Sequence, residues 1–434
     1  MGFQEALEYM QGLRRFGIKL GNERFAELMA RLGNPHDRFG VAHVTGTKGK
    51  GSTTAFIANI LQRHGFRVGG YYSPYVFDVR ERVQVDGRMI PREDFARLVT
   101  TIRPHVDAIA ETELGQATEF ELKTAVGFSY FAKREVDLAA VEVGIGGRLD
   151  ATNIVSPLVT VITNIGLDHT HILGDTLGKI AFEKAGIIKP GVPCVTAVDS
   201  SEALDVIRAR AAEDSAPLIR VGNDGKAAIR WRTTDESEPG RPEFAVTTPR
   251  GEYSGLRCGL LGSFQQVNAA CAIGAVEEVA AARGFAVQPE AIRGGLAATT
   301  LPGRMQIIRR RPTLLLDGAH NPIAAAALRA ELEKMRTGRI LLVIGMVAGH
   351  EPEGVVDVLG PLASIVYATQ PTWSKVHSAE HIAACARTVC GDVRVAATPQ
   401  EAVRQALSEA QLDDLVVVTG SFYVVGDVDP TEFA

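Results

Sequence analysis

Residues 43–53 read His-Val-Thr-Gly-Thr-Lys-Gly-Lys-Gly-Ser-Thr, and this stretch constrains the fold more than any other part of the chain. The pattern predicts the end of a buried strand, a glycine-rich turn and the start of a helix. Such a turn allows several backbone N–H groups to face one anion at the positive end of the helix dipole. Lys50 supplies a cation for the β- and γ-phosphates of a nucleotide, and the Ser52 hydroxyl can ligate Mg²⁺. The stretch therefore predicts a nucleoside triphosphate site.

The spacing of this loop, G-x-x-G-K-G-S, differs from the G-x-x-x-x-G-K-S of a strict Walker A motif. The difference argues against an ordinary P-loop kinase or GTPase. The alternative is a glycine-rich turn that only joins a strand to a helix. We favour the nucleotide site because glycine, lysine and serine all fall where phosphate binding needs them.

The composition excludes several other classes of protein. A length of 434 residues predicts two or three domains, and a hydrophobic content of 46% is ample for their cores. The net charge of −5 gives no sign of a nucleic-acid or membrane surface. The five cysteines form no C-x-x-C pair, so free thiols are expected and neither a zinc site nor disulfides are indicated. The N-terminus lacks a signal-peptide pattern, and no apolar run reaches the roughly 18–20 residues of a membrane span. We expect a cytoplasmic protein.

Strand and helix patterns alternate over most of the chain, which predicts α/β folds with mostly parallel sheets. Residues 226–255 interrupt the alternation with polar residues, glycine and alternating Val and Thr, and they predict an antiparallel hairpin insert. The Pro-Gly pair at 302–303 marks a boundary, after which the alternation restarts with a strand predicted over 313–317. We therefore expect one domain over 1–300 and a second, smaller one over 301–434.

Polar residues follow three further predicted strands, at the ends where α/β sheets bind their ligands. Glu142 ends an apolar strand and is suited to a metal, although a solvated strand end in a plain turn is equally compatible. Asp168 and His169 follow the next strand and form a second metal-capable pair. Asp317 and His320 follow the first strand predicted after the boundary, where they could contact ribose, an amine or phosphate.

Two of these segments also have purely structural interpretations. Asn321 followed by Pro322 is typical of a helix N-cap, and this role is compatible with a binding role for the residues just before it. Glu183 and Lys184 lie on a predicted helix and, taken alone, indicate only a solvated helix face.

Eight segments together resemble the folylpolyglutamate synthase / dihydrofolate synthase family, a branch of the Mur ligase superfamily, and they occur in the order that the family has. They are HVTGTKGKGST (43–53), SPYVFDVRERVQVDG (73–87), EVGIGGRLDATN (142–153), ITNIGLDHTHILGDTLGKIAFEKAGIIKPG (162–191), FQQVNAA (264–270), LPGRMQ (301–306), DGAHNP (317–322) and TGSFYVVG (419–426). The resemblance implies an α/β protein with an N-terminal P-loop ATPase domain, which has a mostly parallel sheet, and a smaller Rossmann-like C-terminal domain. The site is expected between the two domains.

The resemblance also implies an ATP-dependent amide ligase. A pterin-bearing carboxylate attacks the γ-phosphate and becomes an acyl phosphate, and the α-amine of L-glutamate then displaces the phosphate. Phosphorylation is needed because a carboxylate is a poor electrophile, and two Mg²⁺ ions and a lysine neutralise charge that would otherwise repel the carboxylate from ATP. The family thus implies ATP and two Mg²⁺ sites, with folate and L-glutamate as substrates of a monomer.

The matching segments imply roles for individual residues. The ATP-binding positions are Gly46, Thr47, Lys48, Gly49, Lys50, Gly51, Ser52, Thr53, Asn268, Arg304 and Asp317. The metal positions are Ser52, Ser73 and Glu142 for one Mg²⁺ and His169 for the second. The substrate positions are Ser73, Pro74, Tyr75, Arg80, His320 and Ser421. The catalytic positions are Lys50, Lys184 and His320. Lys184 matches the lysine that the family carries as N6-carboxylysine, a carbamate whose negative charge can serve a metal.

Two residues depart from the family pattern. Lys48 stands where Asn is usual and adds a cation beside the phosphates, and Tyr75 stands where His is usual in the loop that borders the pterin site. A Mur-type ligase acting on a non-folate acceptor, such as a UDP-sugar peptide precursor, is the alternative within the superfamily. A nucleotide-dependent switch is an alternative of another class, but it gives no reason for Lys184 or for a second domain that carries Asp317 and His320. The residues leave open whether the acceptor is tetrahydrofolate alone or dihydropteroate as well.

Overall fold

The structure, a computed structural model, describes residues 1–17, 19–349 and 351–434. Its helices are α1 (Phe3–Gly12), α2 (Glu23–Arg31), α3 (Lys50–Arg63), α4 (Arg92–Ala110), α5 (Glu119–Lys133), α6 (Thr170–Leu173), α7 (Leu177–Ala185), α8 (Ser201–Glu213), α9 (Gln265–Arg283), α10 (Pro289–Ala298), α11 (Pro322–Met335), α12 (Pro352–Leu359), α13 (Ala379–Ala386), α14 (Pro399–Glu409), α15 (Phe422–Gly426) and α16 (Pro430–Phe433). Its strands are β1 (Gly40–Thr45), β2 (Val68–Tyr71), β3 (Val83–Val85), β4 (Arg88–Met89), β5 (Leu138–Glu142), β6 (Pro157–Ile162), β7 (Cys194–Thr196), β8 (Leu218–Arg220), β9 (Arg230–Asp235), β10 (Glu243–Thr248), β11 (Gly251–Leu256), β12 (Gln306–Arg310), β13 (Thr313–Leu316), β14 (Ile340–Ile344), β15 (Ile365–Ala368), β16 (Val393–Val395) and β17 (Leu415–Thr419).

The first sheet has eight strands in the order β4-β3-β2-β5-β1-β6-β7-β8. The strands from β2 to β8 in this order are parallel, and β3 and β4 add an antiparallel hairpin at one edge. The central strands β1 and β5 are buried along their whole length because helices pack on both faces of the sheet, with α3 and α9 in one core and α4 and α5 in another. Burial on both faces explains why these strands are apolar runs in the sequence. The mostly parallel sheet confirms the predicted fold class.

A second, three-stranded sheet lies in the predicted insert, with antiparallel order β11-β10-β9. The antiparallel character agrees with the prediction, but the sheet has one strand more than the predicted hairpin. The β3–β4 hairpin, α8 and β8 were also not predicted. Strands of two or three residues are too short to display an alternating pattern, so the sequence carries no signal for β4 or β8.

The third sheet has six strands in the order β12-β13-β17-β14-β15-β16. All are parallel except β12, which pairs antiparallel with β13 and was not predicted. Helices α11, α12 and α13 contribute to the core on one face, and α14, α15 and α16 to the core on the other. This sheet begins at Gln306, so the predicted boundary at 301 falls in the connection before it. None of the described helices is long and apolar enough to cross a membrane.

Candidate functional site

The carboxyl ends of three neighbouring parallel strands form one side of the candidate site. Strands β5, β1 and β6 are adjacent in the first sheet, and Glu142 at the end of β5 pairs in register with Val44 of β1. The glycine-rich loop, residues 46–49, follows β1, and residues 163–169 follow β6. Three sequence-predicted segments therefore meet at one edge of the sheet, which is where parallel sheets bind ligands.

The glycine-rich loop turns at two residues whose backbone conformation favours glycine. Gly46 has a φ of 148° and Gly49 a φ of 82°. A Cβ atom on Gly46 would overlap the side chain of Thr163, and one on Gly49 would overlap the side chain of Asn268. Asn268, a predicted nucleotide-binding residue on α9, thus lies directly against the loop.

Helix α3 starts immediately after the loop and points its N-terminus at the site. Its first intrahelical bond runs from Thr53 N to Gly49 O at 2.9 Å. The N–H groups of residues 50–52 precede that bond, so they are available to an anion at the positive end of the helix dipole. The Thr53 hydroxyl is buried and has no hydrogen-bond partner among the described residues.

The first half of the loop differs from our expectation that its N–H groups face an anion. Thr47 N and Lys48 N both donate to Asn164 Oδ1, at 3.2 and 2.7 Å. Gly166 N donates in turn to Thr47 Oγ1 at 3.0 Å. These bonds fasten the loop to the segment after β6 and occupy two of its donors. Anion binding is therefore left to the end of the loop at Gly49 and to the start of α3.

Lys48 is paired with an acid of the same segment. Its Nζ atom lies 3.0 Å from Asp168 Oδ2. Burial alone would raise the pKa of Asp168, but the charges of Lys48 and His169, with the hydrogen bond from Lys48, together more than offset this effect and lower that pKa to about 2. Burial lowers the pKa of Lys48 itself. The positive charge of Lys48, the residue that departs from the family pattern, is thus largely neutralised by the Asp168 carboxylate.

Two lysines from different helices converge on one carbonyl oxygen of the loop. Lys50 Nζ donates to Gly46 O at 3.1 Å, and Lys184 Nζ from α7 donates to the same oxygen at 2.9 Å. Burial lowers the pKa of Lys184 well below its usual value, and the charge of Lys50 lowers it further. Lys184 has only 4% of its surface exposed, so the interpretation of the Glu183–Lys184 pair as a solvated helix face is wrong for Lys184. The site favours an uncharged amine at this position.

Glu142 is buried beneath the first turn of α3. Its Oε2 atom accepts a hydrogen bond from Ser73 N at 2.8 Å, and Ser73 Oγ accepts one from Arg82 Nη2 at 3.2 Å. Burial raises the pKa of Glu142, whereas the charge of Lys50 lowers it. The alternative of a solvated strand end is therefore wrong. Ser52 is buried in the same turn of α3, next to Gly51, whose added Cβ would lie 3.4 Å from Glu142 Oε2.

His169 lies at the start of the short helix α6 with a φ of 49°, which is uncommon for a residue other than glycine. Burial lowers the pKa of the imidazole, the charge of Lys50 lowers it further, and Asp168 opposes them. The neutral imidazole is the form that binds metals.

The donor set fits Mg²⁺ at one of the two predicted positions. Ser52, Ser73 and Glu142 offer two hydroxyls and a carboxylate, the hard oxygen ligands that Mg²⁺ prefers. A cation there would also stabilise the charged form of the buried Glu142 carboxylate. His169 with an unmodified Lys184 offers only nitrogen atoms, which suit Mg²⁺ poorly.

Residues in the segments next to the strands of the third sheet face the loop from the other side of a cleft. The charges of Arg304 and Asp317 both act on Lys48, which places them close to the glycine-rich loop. Asp317 Oδ2 accepts from Met305 N at 2.9 Å, and the Arg304 guanidinium lies 4.3 Å from the centroid of the Phe422 ring. The cavity of this cleft is lined from both sides by Gly51, Tyr72, Ser73, Pro74, Glu142, Arg304 and Phe422.

The remaining predicted residues of this side lie near α11 and α15. His320 Nδ1 is 2.8 Å from Gly318 O, and its ring is near enough for its charge to act on Asp168. Asn321 Oδ1 accepts from Ala324 N at 2.9 Å, which confirms the predicted N-cap of α11. Ser421 Oγ accepts from Val424 N at 3.1 Å and caps α15 in the same way.

Tyr75 belongs to a set of polar and aromatic side chains that we call the Tyr75 cluster, which comprises Arg14, Tyr75, Glu119, Lys123, Trp373 and Tyr423. Arg14 Nη2 donates to the Tyr75 hydroxyl at 3.3 Å, and Arg14 Nε lies 3.0 Å from Glu119 Oε1. Lys123 Nζ lies 2.7 Å from the same carboxylate and 5.2 Å from the centroid of the Tyr75 ring. Burial, with a smaller effect from Arg82, lowers the pKa of Lys123 to about 7.

The Tyr75 cluster bridges the two sides of the cleft. The Arg14 guanidinium lies 4.8 Å from the centroid of the Trp373 ring, and Trp373 packs on Tyr423 with ring centroids 4.4 Å apart. Arg14 belongs to the N-terminal segment, whereas the two aromatic residues belong to the region of the third sheet. Sequence reasoning missed Arg14, Lys123 and Trp373, because an arginine, a lysine or a tryptophan outside a motif carries no positional signal.

Arg80, a predicted substrate residue, points away from the other site residues. It forms an ion pair with Asp78 at 2.7 Å and lies 5.7 Å from the centroid of the Phe3 ring. Arg82, two residues further on, is the arginine that reaches Ser73. The role of Arg80 stays a prediction, and Arg82 and Asn164 are site residues that sequence reasoning missed.

Two family models match the chain, the Mur ligase middle domain over residues 44–276 and the glutamate ligase domain of Mur ligases over residues 303–422. Fold and site together therefore define a Mur-type ligase.

The chain is 37% identical over 429 residues to the dihydrofolate synthase/folylpolyglutamate synthase of Bacillus subtilis, with 98% of each chain covered. It is 33% identical over 438 residues to the folylpolyglutamate synthase of Lacticaseibacillus casei, with 99% of each covered. A crystal structure of Mycobacterium tuberculosis folylpolyglutamate synthase complexed with ADP and AMPPCP has a TM-score of 0.89 at 28% identity and covers 98% of both chains.

The chain belongs to the folylpolyglutamate synthase / dihydrofolate synthase family of the Mur ligase superfamily.

Proposed function

We propose that this protein uses ATP to ligate L-glutamate to the carboxylate of a folate, in the cleft between its first and third sheets. The observation that carries the proposal is the approach of Lys50 and Lys184 to one loop oxygen, opposite Arg304 and Asp317 of the other side. A nucleotide switch would need only the glycine-rich loop. Amide ligation, by contrast, requires cationic groups around a transferring phosphoryl group and a second face that holds the acceptor.

The reaction proceeds in two displacement steps. A carboxylate oxygen of the acceptor attacks the γ-phosphorus of ATP, ADP leaves, and an acyl phosphate forms. The α-amine nitrogen of L-glutamate then attacks the acyl carbon, inorganic phosphate leaves, and the nitrogen loses a proton as the amide forms. Lys50 and the N–H groups of residues 50–52 stabilise the charge on the transferred phosphoryl group.

Mg²⁺ would be held by Ser52, Ser73 and Glu142, where it would supply positive charge to the β- and γ-phosphates. The buried Glu142 carboxylate holds the backbone of Ser73 through the Ser73 N–H, so both residues keep their positions before the nucleotide arrives. A second Mg²⁺ site at His169 is part of the proposal and depends on the chemical state of Lys184.

We infer that Lys184 is carbamylated in the active protein. The lowered pKa of Lys184 increases the fraction of uncharged amine, whose nitrogen can attack the carbon of CO₂ and release one proton. The product carries a negative charge and two oxygen ligands, and its charge attracts the ammonium group of Lys50. Beside His169, these oxygens would complete a site for the second Mg²⁺.

The carbamate is tested by ¹³C NMR of protein equilibrated with ¹³C-bicarbonate, with Lys184→Ala as the comparison and Lys189→Ala, a nearby lysine outside the site, as the control. A carbamate resonance is expected in the wild type and in Lys189→Ala and absent from Lys184→Ala. Lys184→Ala is expected to be inactive and to recover part of its activity with acetate or formate. Full activity of Lys184→Ala without supplement would refute the proposal.

The acceptor is tested by the mass of the product after incubation with Mg-ATP and L-glutamate. Dihydropteroate and tetrahydrofolate are supplied in separate reactions, and a UDP-sugar peptide precursor is supplied in a third. We expect one added glutamate on dihydropteroate and one or more on tetrahydrofolate. Addition to tetrahydrofolate alone defines a dedicated polyglutamate synthase, and addition only to the UDP-sugar peptide would overturn the folate assignment.

We further propose that residues 1–300 and 301–434 act as two domains of a cytoplasmic monomer. The connection before β12 supports the boundary, and five unpaired cysteines, four of them buried, are consistent with a reducing compartment. The mass of the protein measured by light scattering, with and without Mg-ATP, tests the monomer. A mass twice that of the chain would contradict it.

A further inference from the structure

Three side chains with different donor atoms converge on the surface of the third-sheet region, between α12 and α13. His381 and Cys385 lie four residues apart on α13 and so project from the same face one turn apart. Glu353 lies in the first turn of α12, which packs against α13. Cys385 Sγ is 3.6 Å and His381 Nε2 is 3.8 Å from the same atom, Glu353 Oε1. The three donor atoms all lie within 4.8 Å of one another.

These distances are close to those of a tetrahedral metal site. Zn²⁺ binds cysteine sulfur at about 2.3 Å and histidine nitrogen or carboxylate oxygen at about 2.0–2.2 Å, so neighbouring ligand atoms lie roughly 3.3–3.7 Å apart. Small rotations of exposed side chains would bring Glu353, His381 and Cys385 to that spacing. A set of one sulfur, one nitrogen and one oxygen suits Zn²⁺ and related transition metals, whereas Mg²⁺ and Ca²⁺ prefer oxygen alone.

The surroundings of the three side chains favour a metal-binding site over a chance proximity of polar groups. Cys385 is the one cysteine of the five that is not buried, so it is the thiol that solvent ions can reach. The ring of His377 stacks on that of His381 with centroids 5.2 Å apart, which restricts the orientation of the His381 imidazole.

We propose that Glu353, His381 and Cys385 form a binding site for a single transition-metal cation of the Zn²⁺ class. Three protein ligands leave a fourth position for water or an external ligand. The bound ion would link α12 to α13, two helices that contribute to one core of the six-stranded sheet. The site shares no residue with the proposed Mg²⁺ positions in the cleft and does not depend on the proposed ligase activity.

The site is tested with full-length protein that has been stripped with a chelator and titrated with Co²⁺. The candidate ligands in the cleft offer only oxygen and nitrogen, so a thiolate-to-Co²⁺ charge-transfer band reports this site alone. We expect the band to saturate at one equivalent and to disappear when Zn²⁺ is added. Cys385→Ser is expected to abolish the band, and His381→Ala and Glu353→Gln are expected to weaken the affinity at least about tenfold.

Two control variants lie in the same region outside the set of ligands. Cys390→Ala removes a buried thiol, and Glu380→Gln removes an exposed carboxylate of α13, and both are expected to bind Co²⁺ like the wild type. Zn²⁺ should also raise the melting temperature of the wild type but not that of Cys385→Ser. The proposal is overturned if the wild type shows no charge-transfer band, if Cys385→Ser retains it, or if the controls lose affinity as much as the ligand variants do.

Discussion

At the scale of single residues, Lys50 is the side chain on which we expect the proposed nucleotide site to depend most. Its Nζ atom donates a hydrogen bond to Gly46 O of the loop. The residue lies at the start of α3, where negative charge would develop on the transferred phosphoryl group. Lys50→Ala should lower turnover by roughly 10²–10³-fold, the usual effect of removing one electrostatic anchor of a transition state. The measurement is the steady-state rate of ADP formation in the presence of both substrates.

The matched control for Lys50→Ala is Lys226→Ala, which removes an exposed lysine from the loop before β9. Its rate should equal that of the wild type. If Lys50→Ala also retained nearly normal turnover, the glycine-rich loop would not be the phosphate site.

Lys123 illustrates how burial of one residue makes stability depend on pH. Burial lowers its pKa in the folded protein to about 7, from an ordinary value of 10.5. Between these pH values the unfolded chain binds more protons than the folded one, so the free energy of unfolding rises with pH across this window. Lys123→Met removes the titrating group and should therefore be more stable than the wild type near pH 7, with a smaller gain near pH 10.5.

Urea denaturation at several pH values between 6 and 10.5 measures this difference. Lys133→Met, on the exposed face of the same helix and paired with Asp94, is the control, and its pH dependence should follow that of the wild type. A constant offset between Lys123→Met and the wild type over the whole window would show that Lys123 does not titrate in it.

At the scale of elements, the glycine-rich loop is held by its neighbour as well as by its own glycines. Asn164, directly after β6, accepts hydrogen bonds from Thr47 N and Lys48 N. Asn164→Ala leaves Lys48 N without its acceptor, at a cost of about 1–3 kcal/mol, whereas Thr47 N keeps the backbone carbonyl of residue 164 at 2.9 Å. We expect a rise of about tenfold or more in the KM for ATP, with a smaller effect on the KM for L-glutamate.

Asn59→Ala provides the comparison, because the Asn59 amide donates to Ala55 O within α3 and does not touch the loop. Both Michaelis constants should stay near wild-type values in this variant. Equal effects on the two substrates in Asn164→Ala would indicate general loss of structure instead of a loosened loop.

At the scale of the whole molecule, the Tyr75 cluster is a contact between the two sides of the cleft. Arg14 over Trp373 is a cation–π pair worth about 0.5–1 kcal/mol at an accessible position. Arg14→Gln should therefore lower the population of molecules in which the two sides of the cleft are in contact by about two- to fivefold. Trp231→Phe leaves Trp373 as the one tryptophan of the chain, so its fluorescence reports the state of this contact.

Arg103→Gln is the matched control, because Arg103 lies over the Tyr9 ring at the same distance of 4.8 Å but within the N-terminal region. In the Trp231→Phe background, Arg14→Gln should change the Trp373 emission and raise the KM of the folate acceptor. Arg103→Gln should change neither. If Arg14→Gln left both unchanged, the cluster would not contribute to closure.

The sequence by itself determined the chemistry-bearing loop, the alternation of strands and helices, and the family. These features are local, because each is encoded within a few residues. Examples are a turn that needs glycine, an apolar run that is buried on both faces, and an N-cap such as Asn321. Very short strands such as β4 could not be predicted from the sequence, because two residues cannot display an alternating apolar and polar pattern.

The tertiary structure alone decided which polar residues share an environment. Lys184 looks like a surface lysine on its helix, and only packing against the loop buries it beside Lys50. Arg82 and Arg80 are two residues apart in the same segment, yet only Arg82 reaches Ser73. Burial, pKa and the pairing of charges depend on distances between segments far apart in the chain, and those distances exist only after the sheets have packed.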